Sequence, residues 1–245
     1  MLRIDVLTLF PEMVRPFLEQ SILGRAQTAG QVKLQAVDLR QFTEGKHRIA
    51  DDTPYGGGAG MVIKPEPIAR ALAHLAAPET KILMMSPRGR TFGQNLAHRL
   101  AQEQHLILIA GHYEGVDERV LGLCHGLLSI GDFVLTGGEL PAAMVADAIV
   151  RLVPGVITQE SLAVESFAGP RLEAPHYTRP LEFQGQTVPE VLRSGHHALI
   201  QKYRSRQSLL LTRCYRPELL FRGKLSAEDI GILSEPLVGP EPDMV

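Results

Sequence analysis

The segment His105-Leu106-Ile107-Leu108-Ile109-Ala110-Gly111-His112-Tyr113-Glu114-Gly115 begins with a short apolar run and ends in a loop bounded by glycines. A run of this length, without a polar residue at every second position, is the pattern of a strand covered on both faces, as in parallel sheets. Its neighbours alternate in kind. Upstream, residues 81–86 read as a strand and 91–104 as an amphipathic helix. Downstream come a short helix at 117–123, brief apolar pieces at 127–130 and 133–135 around Gly131, and a helix at 141–153 closed by Pro154-Gly155. Nearer the amino terminus, residues 4–10 read as a buried strand stopped by Pro11. A helical pattern then runs to Gln27 and is ended by Gly30, residues 32–39 alternate as a second strand, and Pro65 opens a helix to Ala76. Strands alternating with helices predict an α/β fold class with a mainly parallel sheet.

Residues 154–190 break this alternation. Pro154, Pro170, Pro175, Pro180 and Pro189 leave no sustained periodicity, which is the composition of a linker. Helical patterns return at 188–194, 196–213 and 227–234. The expected organisation is an α/β domain over residues 1–157, a linker over 158–187 and a small all-helical domain over 188–245. A chain of 245 residues, 44% hydrophobic and 21% charged, is long enough to bury both cores.

Composition also narrows the function classes. Cys124 and Cys214 are isolated, so neither a structural zinc site nor a disulfide framework is expected, and a reducing cytoplasm is the natural setting. Asp5 interrupts the only apolar run near the start, and no run approaches the roughly 18 residues of a membrane span, so neither secretion nor a membrane role is expected. Net charge is −2, yet residues 195–224 carry Lys202, Arg204, Arg206, Arg213, Arg216, Arg222 and Lys224 against Glu218 alone. Such a surface docks a polyanion when the charges share a face, because exposed charges act within about a Debye length. A solvated helix face has the same composition.

Several catalytic signatures are missing. Gly56 to Gly60 lacks the dinucleotide-binding spacing, neither Gly45-Lys46 nor Gly223-Lys224 continues as a P-loop, and there is no nucleophile elbow or zinc-protease helix. Three glycine-bearing segments stand near predicted strand ends instead: Ser86-Pro87-Arg88-Gly89-Arg90, Gly111 to Arg119, and Ser129 to Pro141. Ligands of parallel sheets sit outside the carboxyl ends of strands, where glycine exposes backbone donors and acceptors to a flat heterocycle. Taken singly, each is also an ordinary turn between a strand and a helix.

Taken jointly, the segments Tyr55-Gly56-Gly57-Gly58-Ala59-Gly60-Met61, Gly111-His112-Tyr113-Glu114-Gly115-Val116-Asp117-Glu118-Arg119, Ser129-Ile130-Gly131-Asp132-Phe133-Val134-Leu135-Thr136-Gly137-Gly138-Glu139-Leu140-Pro141 and Pro175-His176-Tyr177-Thr178-Arg179-Pro180 closely resemble the bacterial tRNA (guanine-N1)-methyltransferases of the SPOUT superfamily. They occur in the family's order, and the resemblance spans essentially the whole chain. It implies a deep C-terminal trefoil knot in the α/β domain, which periodicity does not suggest, and an obligate homodimer with shared active sites. It also implies methylation of the guanine just 3′ of the anticodon, at tRNA position 37. S-adenosylmethionine would contact Met85, Ser86 and Pro87, then Gly111, Tyr113, Glu114 and Gly115, then Ile130, Gly131, Asp132, Phe133, Val134 and Leu135 with Gly137, Gly138 and Pro141. A magnesium requirement follows from the resemblance alone; no Asp/Glu spacing marks a metal cage, and no protein metal site is expected.

Methylation at guanine N1 needs a carboxylate to take the N1 proton and a cation at O6. The family's base is an Asp before Ser-Phe; here the element is Glu165-Ser166-Phe167. The family's Arg before Pro-Gly matches Arg151. The resemblance thus assigns Glu165 as general base and Arg151 as the group that positions guanine and stabilises O6, with Asp51, Asp52, Glu114 and Glu173 as the other carboxylates to weigh. Phe133 stands where the family often has Tyr, and His112 where it often has Arg. Gly56, Gly57, Gly58 and Ser166 are expected near RNA, and Lys202, Arg204 and Arg206 against phosphates of the tRNA anticodon arm. The alternative readings are an RNA ribose 2′-O-methyltransferase, a non-catalytic RNA-binding protein on the same fold, and an enzyme acting on a free nucleotide.

Overall fold

The computed structural model describes residues 1–234; the end of the expected helical domain, 235–245, lies outside the described residues. The chain divides after Thr158 into two compact units.

The first unit is built on β1 (Leu2–Thr8), α1 (Pro11–Leu18), α2 (Ser21–Thr28), β2 (Val32–Asp38), the short strands β3 (Asp51–Asp52) and β4 (Val62–Ile63), α3 (Pro65–Leu75), β5 (Lys81–Thr91), α4 (Gln94–Leu100), β6 (His105–Ala110), β7 (Gly126–Ser129) and α5 (Glu139–Val150). Five strands form one sheet in the order β2-β1-β6-β5-β7, and every pair is parallel. All six residues of β6 are buried, as its unbroken apolar run requires of a strand between two helical layers. Leu7, Ile82, Met84, Ile107 and Ile109 face one core with Ile68, Ala71 and Leu72 of α3. The alternate residues face α5, which packs on β1 and β6 with small residues such as Ala142, Ala143 and Ala146. Edge strand β2 keeps the alternation seen in the sequence, with Lys33 and Gln35 exposed between Val32, Leu34 and Val37. Asp5, fully buried in β1, is neutralised by Arg3 at 2.6 Å and lies 3.0 Å from His105 on β6.

Local expectations fail where a distant segment intervenes. The single helix expected to Gln27 is two, because Ser21 turns the chain with φ +53°. Strand β5 runs five residues past Ser86, to Thr91. After Met85 pairs with Leu128, residues 86–89 leave the ladder, and Arg90 and Thr91 return to pair with Leu128 and Ser129. The following helix is therefore shortened to Gln94–Leu100, since Phe92 donates to Ser129 O at 2.7 Å. The helix expected from Pro141 starts two residues earlier, at Glu139. Phe133, Val134 and Leu135, read as a brief apolar piece, belong to no strand and are exposed.

The second unit begins with α6 (Gln159–Val164) and a short antiparallel hairpin of β8 (Glu182–Phe183) and β9 (Gln186–Thr187), both within the stretch expected as linker. It continues with α7 (Glu190–Arg193), α8 (His197–Tyr215), a 3-10 turn at Pro217–Arg222 and α9 (Ala227–Leu233). Ser226 and Asp229 cap α9 reciprocally, each side chain accepting the other's backbone N–H. Residues 159–176 lean on α8 and α9 through polar contacts: Leu172 N–H donates to Thr212 Oγ1 of α8 at 2.8 Å, Ser208 Oγ of α8 donates to Leu172 O at 2.5 Å, and Arg171 pairs with Asp229 of α9 at 2.7 Å.

Candidate active site

Strand β5 lies between β6 and β7 and pairs in parallel with both. Over its carboxyl end, where ligands of open parallel sheets bind, a cavity of about 490 Å³ opens. Its walls are the 86–88 excursion of β5, the loop after β6 and the loop after β7. Every cofactor contact expected from the sequence lines it except Asp132, and Met84, Arg88, His112, Val116, Glu118 and Thr136 join them. The volume lies within the roughly 300–1,000 Å³ of small-molecule sites.

Backbone contacts hold these loops. Gly138 donates to Gly111 O at 2.6 Å, which ties the β7 loop to the β6 loop. A Cβ on Gly138 would lie 2.9 Å from the Ala110 and Gly111 backbone, so the close approach admits only glycine. Tyr113 holds φ +59°, an uncommon conformation for a side-chain-bearing residue, and Gly115 closes the turn by donating to His112 O at 3.1 Å.

Beneath this loop runs a polar relay that sequence reasoning missed. Glu139, 1% exposed, accepts from Thr8 Oγ1 at 2.7 Å and lies 3.2 Å from His112 Nδ1. The His112 ring packs on Phe10 at 4.5 Å and edge-on to Tyr113 at 5.0 Å. An acidic residue beside the Gly137-Gly138 pair was the available signal, but its partner Thr8 stands 131 residues away. At the rim, Arg88 grips Glu118 with two hydrogen bonds of 3.2 and 2.9 Å. That contact raises the arginine's pKa and lowers the carboxylate's. Next to it, hydrogen bonds from Arg119 hold Asp117 down to about 2.

The glycine-rich loop reaches the same site from β4. Glu114 donates its N–H to Met61 O at 3.1 Å, and Ile63 donates to Gly115 O at 2.9 Å. Gly56, Gly57 and Gly58 all have positive φ and open space where a side chain would stand. Arg151 caps α5, donating its N–H to Asp147 O at 3.1 Å; burial raises the Asp147 pKa and the Arg151 charge opposes the shift.

The remaining expected residues lie in the second unit. The main-chain carbonyl of Glu165 accepts the N–H of Ala168 at 3.1 Å, and Ser166 Oγ accepts that of Glu173 at 3.0 Å. Lys202, Arg204 and Arg206 all lie on α8 but are not equivalent, for Lys202 sits 3.7 Å from Glu228 while Arg204 lines a second cavity. Among the described residues no three His, Cys, Asp or Glu side chains form a metal-binding group, and no helix is long and apolar enough to cross a membrane.

Fold and cavity define the class: a parallel α/β protein whose ligand site is made by three loops at the carboxyl edge of its sheet. The family model described as "tRNA (Guanine-1)-methyltransferase TrmD" matches residues 2–222, and the chain belongs to this family. It is similar to curated proteins named tRNA (guanine-N(1)-)-methyltransferase. One from Dictyoglomus turgidum is 49% identical over 96% of each chain. One from Anaeromyxobacter sp. is 52% identical over 95% of this chain and 96% of its own. One from Brevibacillus brevis is 50% identical over 96% and 98% respectively.

Proposed function

We propose that this chain is an enzyme that methylates N1 of a guanine in tRNA with S-adenosylmethionine, the guanine being the one just 3′ of the anticodon. The observation that carries this reading is the cavity at the end of β5, around which three loops gather nearly all the residues expected to hold the cofactor. The cavity's volume of about 490 Å³ suits a cofactor of that size, and Gly137 and Gly138 let the β7 loop close on the β6 loop without a side chain between them. Once bound, it supplies a methyl group on a positively charged sulfur. The loops at 86–88, 111–115 and 130–138 orient it and exclude water, and the Thr8–Glu139–His112 relay keeps the middle loop in place.

Glu165 takes the N1 proton, and Arg151 holds the guanine and stabilises the negative charge that moves to O6. Glutamate in place of aspartate retains the carboxylate chemistry, since both titrate near 4, but sets the backbone one methylene farther from the base. Gly56, Gly57 and Gly58 let the RNA approach closely, Ser166 braces the segment that carries Glu165, and Lys202, Arg204 and Arg206 provide positive charge for the anticodon arm. The described residues do not fit a protein-caged magnesium ion, and no step is assigned to one.

The proposal includes a deep trefoil knot and a homodimer with shared active sites, both supported by family membership. Exposed Met13 and Phe17 on α1 and Leu140 and Met144 on α5, two helices that pack together, give the homodimer an apolar face to bury. A helical tRNA-binding domain and a cytoplasmic location complete the reading. Labelled methyl transfer to two tRNA transcripts, one with guanine and one with adenine at the target position, tests it. Transfer to the guanine transcript alone is expected; equal transfer to both, or to neither, overturns it.

A further inference from the structure

Glu165 stands at the head of a tight turn in the second unit. The Ala168 N–H closes the turn on Glu165 O, and the Phe167 N–H donates to Arg171 O at 3.2 Å. At the turn's third position Phe167 holds φ +70°. Turns with a positive φ there ordinarily use glycine, because a side chain strains that conformation, and such strain persists only where surrounding contacts impose it. Those contacts fall on the ring. The Arg216 guanidinium lies over Phe167 at 5.6 Å from the ring centroid, within the roughly 6 Å over which a cation is attracted to an aromatic face. Arg216 is fixed in its turn. Its N–H donates to Thr212 O at 2.9 Å at the end of α8, its O accepts from Leu219 N–H at 3.0 Å, and its Nε donates to Glu218 at 2.5 Å. Buried Leu219 and Leu220 anchor the 3-10 turn that follows. Beyond it, Gly223 lies against the Pro170 ring, where a Cβ would collide. The Pro217–Arg222 turn thus grips the Glu165 turn at two points, Phe167 and Pro170.

We propose that Arg216 is a positioning residue for methyl transfer: through the Phe167 ring it sets where Glu165 stands. The inference rests on the assignment of Glu165 as the base. A general base must come within hydrogen-bond reach of the proton it takes, and a misplacement of about 1 Å costs as much as a hundredfold in rate. Glutamate carries its carboxylate on one more rotatable bond than aspartate, so a firmly held backbone matters more in this chain. Arg216 belongs by sequence to the basic stretch at 195–224, whose single acid is Glu218. The structure engages its charge with that acid and with Phe167, which sets it apart from a cation left to meet RNA phosphates.

The test is single-turnover methyl transfer by the full-length protein at saturating tRNA and S-adenosylmethionine. Arg216→Ala and Phe167→Leu are each expected to slow transfer by about tenfold to a hundredfold, with S-adenosylmethionine affinity unchanged by calorimetry. Arg216→Lys and Phe167→Tyr, which keep a cation on an aromatic face, are expected to retain most of the rate. The Arg216→Ala/Phe167→Leu double variant should be no slower than either single one. In a Glu165→Gln background, Arg216→Ala should cost nothing further, because the two act as a unit. Phe167→Leu and Phe167→Tyr carry the test if Arg216→Ala does not fold. The proposal is overturned by an Arg216→Ala protein that only raises the KM for tRNA, which is the mark of a phosphate contact, or by losses that multiply in the double variant or persist without Glu165. Glu165→Gln at the wild-type rate would bring down the base assignment and this inference with it. A slow Glu165→Gln beside a fast Arg216→Ala would bring down this inference alone.

Discussion

The two units are held together internally by different forces. In the first unit, the cofactor loops hang from a parallel sheet whose central strand is wholly buried, and they are joined by backbone hydrogen bonds such as Gly138 to Gly111. In the second unit, the described residues bury only Leu209, Thr212, Leu219 and Leu220. The segment carrying Glu165 is kept in shape by side chains: Ser166 on Glu173, Ser208 and Thr212 on Leu172, and Arg171 on Asp229. A fully buried Leu or Ile contributes about 1.5–3 kcal/mol and a typical hydrogen bond about 1. The first unit is therefore held chiefly by its apolar core, and the second chiefly by side-chain hydrogen bonds and an ion pair. Under the proposed function, cofactor capture falls to the part with the larger buried core and proton removal to the part that opens at least cost.

The sharpest test of this division is Glu165→Gln. Loss of the base is expected to lower the single-turnover rate of methyl transfer by about 10²–10⁴-fold, with S-adenosylmethionine affinity retained by calorimetry. Loss of both together would show that the two units do not divide the work. Gly138→Ala strikes the rigid half: the added methyl meets backbone at 2.9 Å, so denaturant unfolding is expected to show about 1–3 kcal/mol of destabilisation along with weakened cofactor binding. A neutral result would mean that the loops yield more readily than their packing indicates.

Ser208→Ala addresses the adaptable half. It removes the hydroxyl that donates to Leu172 O and is expected to cost about 1 kcal/mol. Faster hydrogen exchange should be confined to amides of the second unit; a change spreading through β6 would argue against independent units. The smallest effect concerns acid. Asp229 is held below the ordinary carboxylate range, first by the Ser226 N–H and then with help from Arg171. A depressed folded pKa gives stability that is complete above the unfolded value of roughly 4 and is lost as pH falls through the lower folded value. The α9 cap and the Arg171 latch are thus expected to weaken below about pH 4, seen as faster exchange of the Ser226 amide, which donates to the Asp229 carboxylate, and Asp229→Asn should flatten that dependence.

How much was legible depended on how local each signal is. The strand at His105–Ala110 lies where its apolar run placed it, and the glycine-bearing segments at 111–119 and 129–141 follow the ends of β6 and β7 as expected, whereas 86–90 lies inside β5. The break at Ser21 was hidden because one left-handed residue leaves an apolar period intact. The extension of β5 to Thr91 was hidden because its second pairing is made with β7, some forty residues later in the chain. Hairpin β8–β9 has strands of two residues, too short for any period to register. The resemblance named Glu165 and Arg151, whose chemistry no spacing marks, whereas the Arg88–Glu118 contact carried no recognisable signature and Glu139 carried one that did not reveal its distant partner Thr8.

By itself, the sequence determined the α/β class, the parallel sheet and the loops that can expose backbone to a cofactor, because these depend on near-neighbour periodicity and on the absence of a Cβ. Only the tertiary structure decided that three loops meet over β5, that buried Glu139 is shared by Thr8 and His112, and that Arg204 faces a cavity while Lys202 does not. Those outcomes depend on which distant segments the chain brings within hydrogen-bonding distance. Two side chains of the same charge on one helix acquire different surroundings only from what stands opposite them.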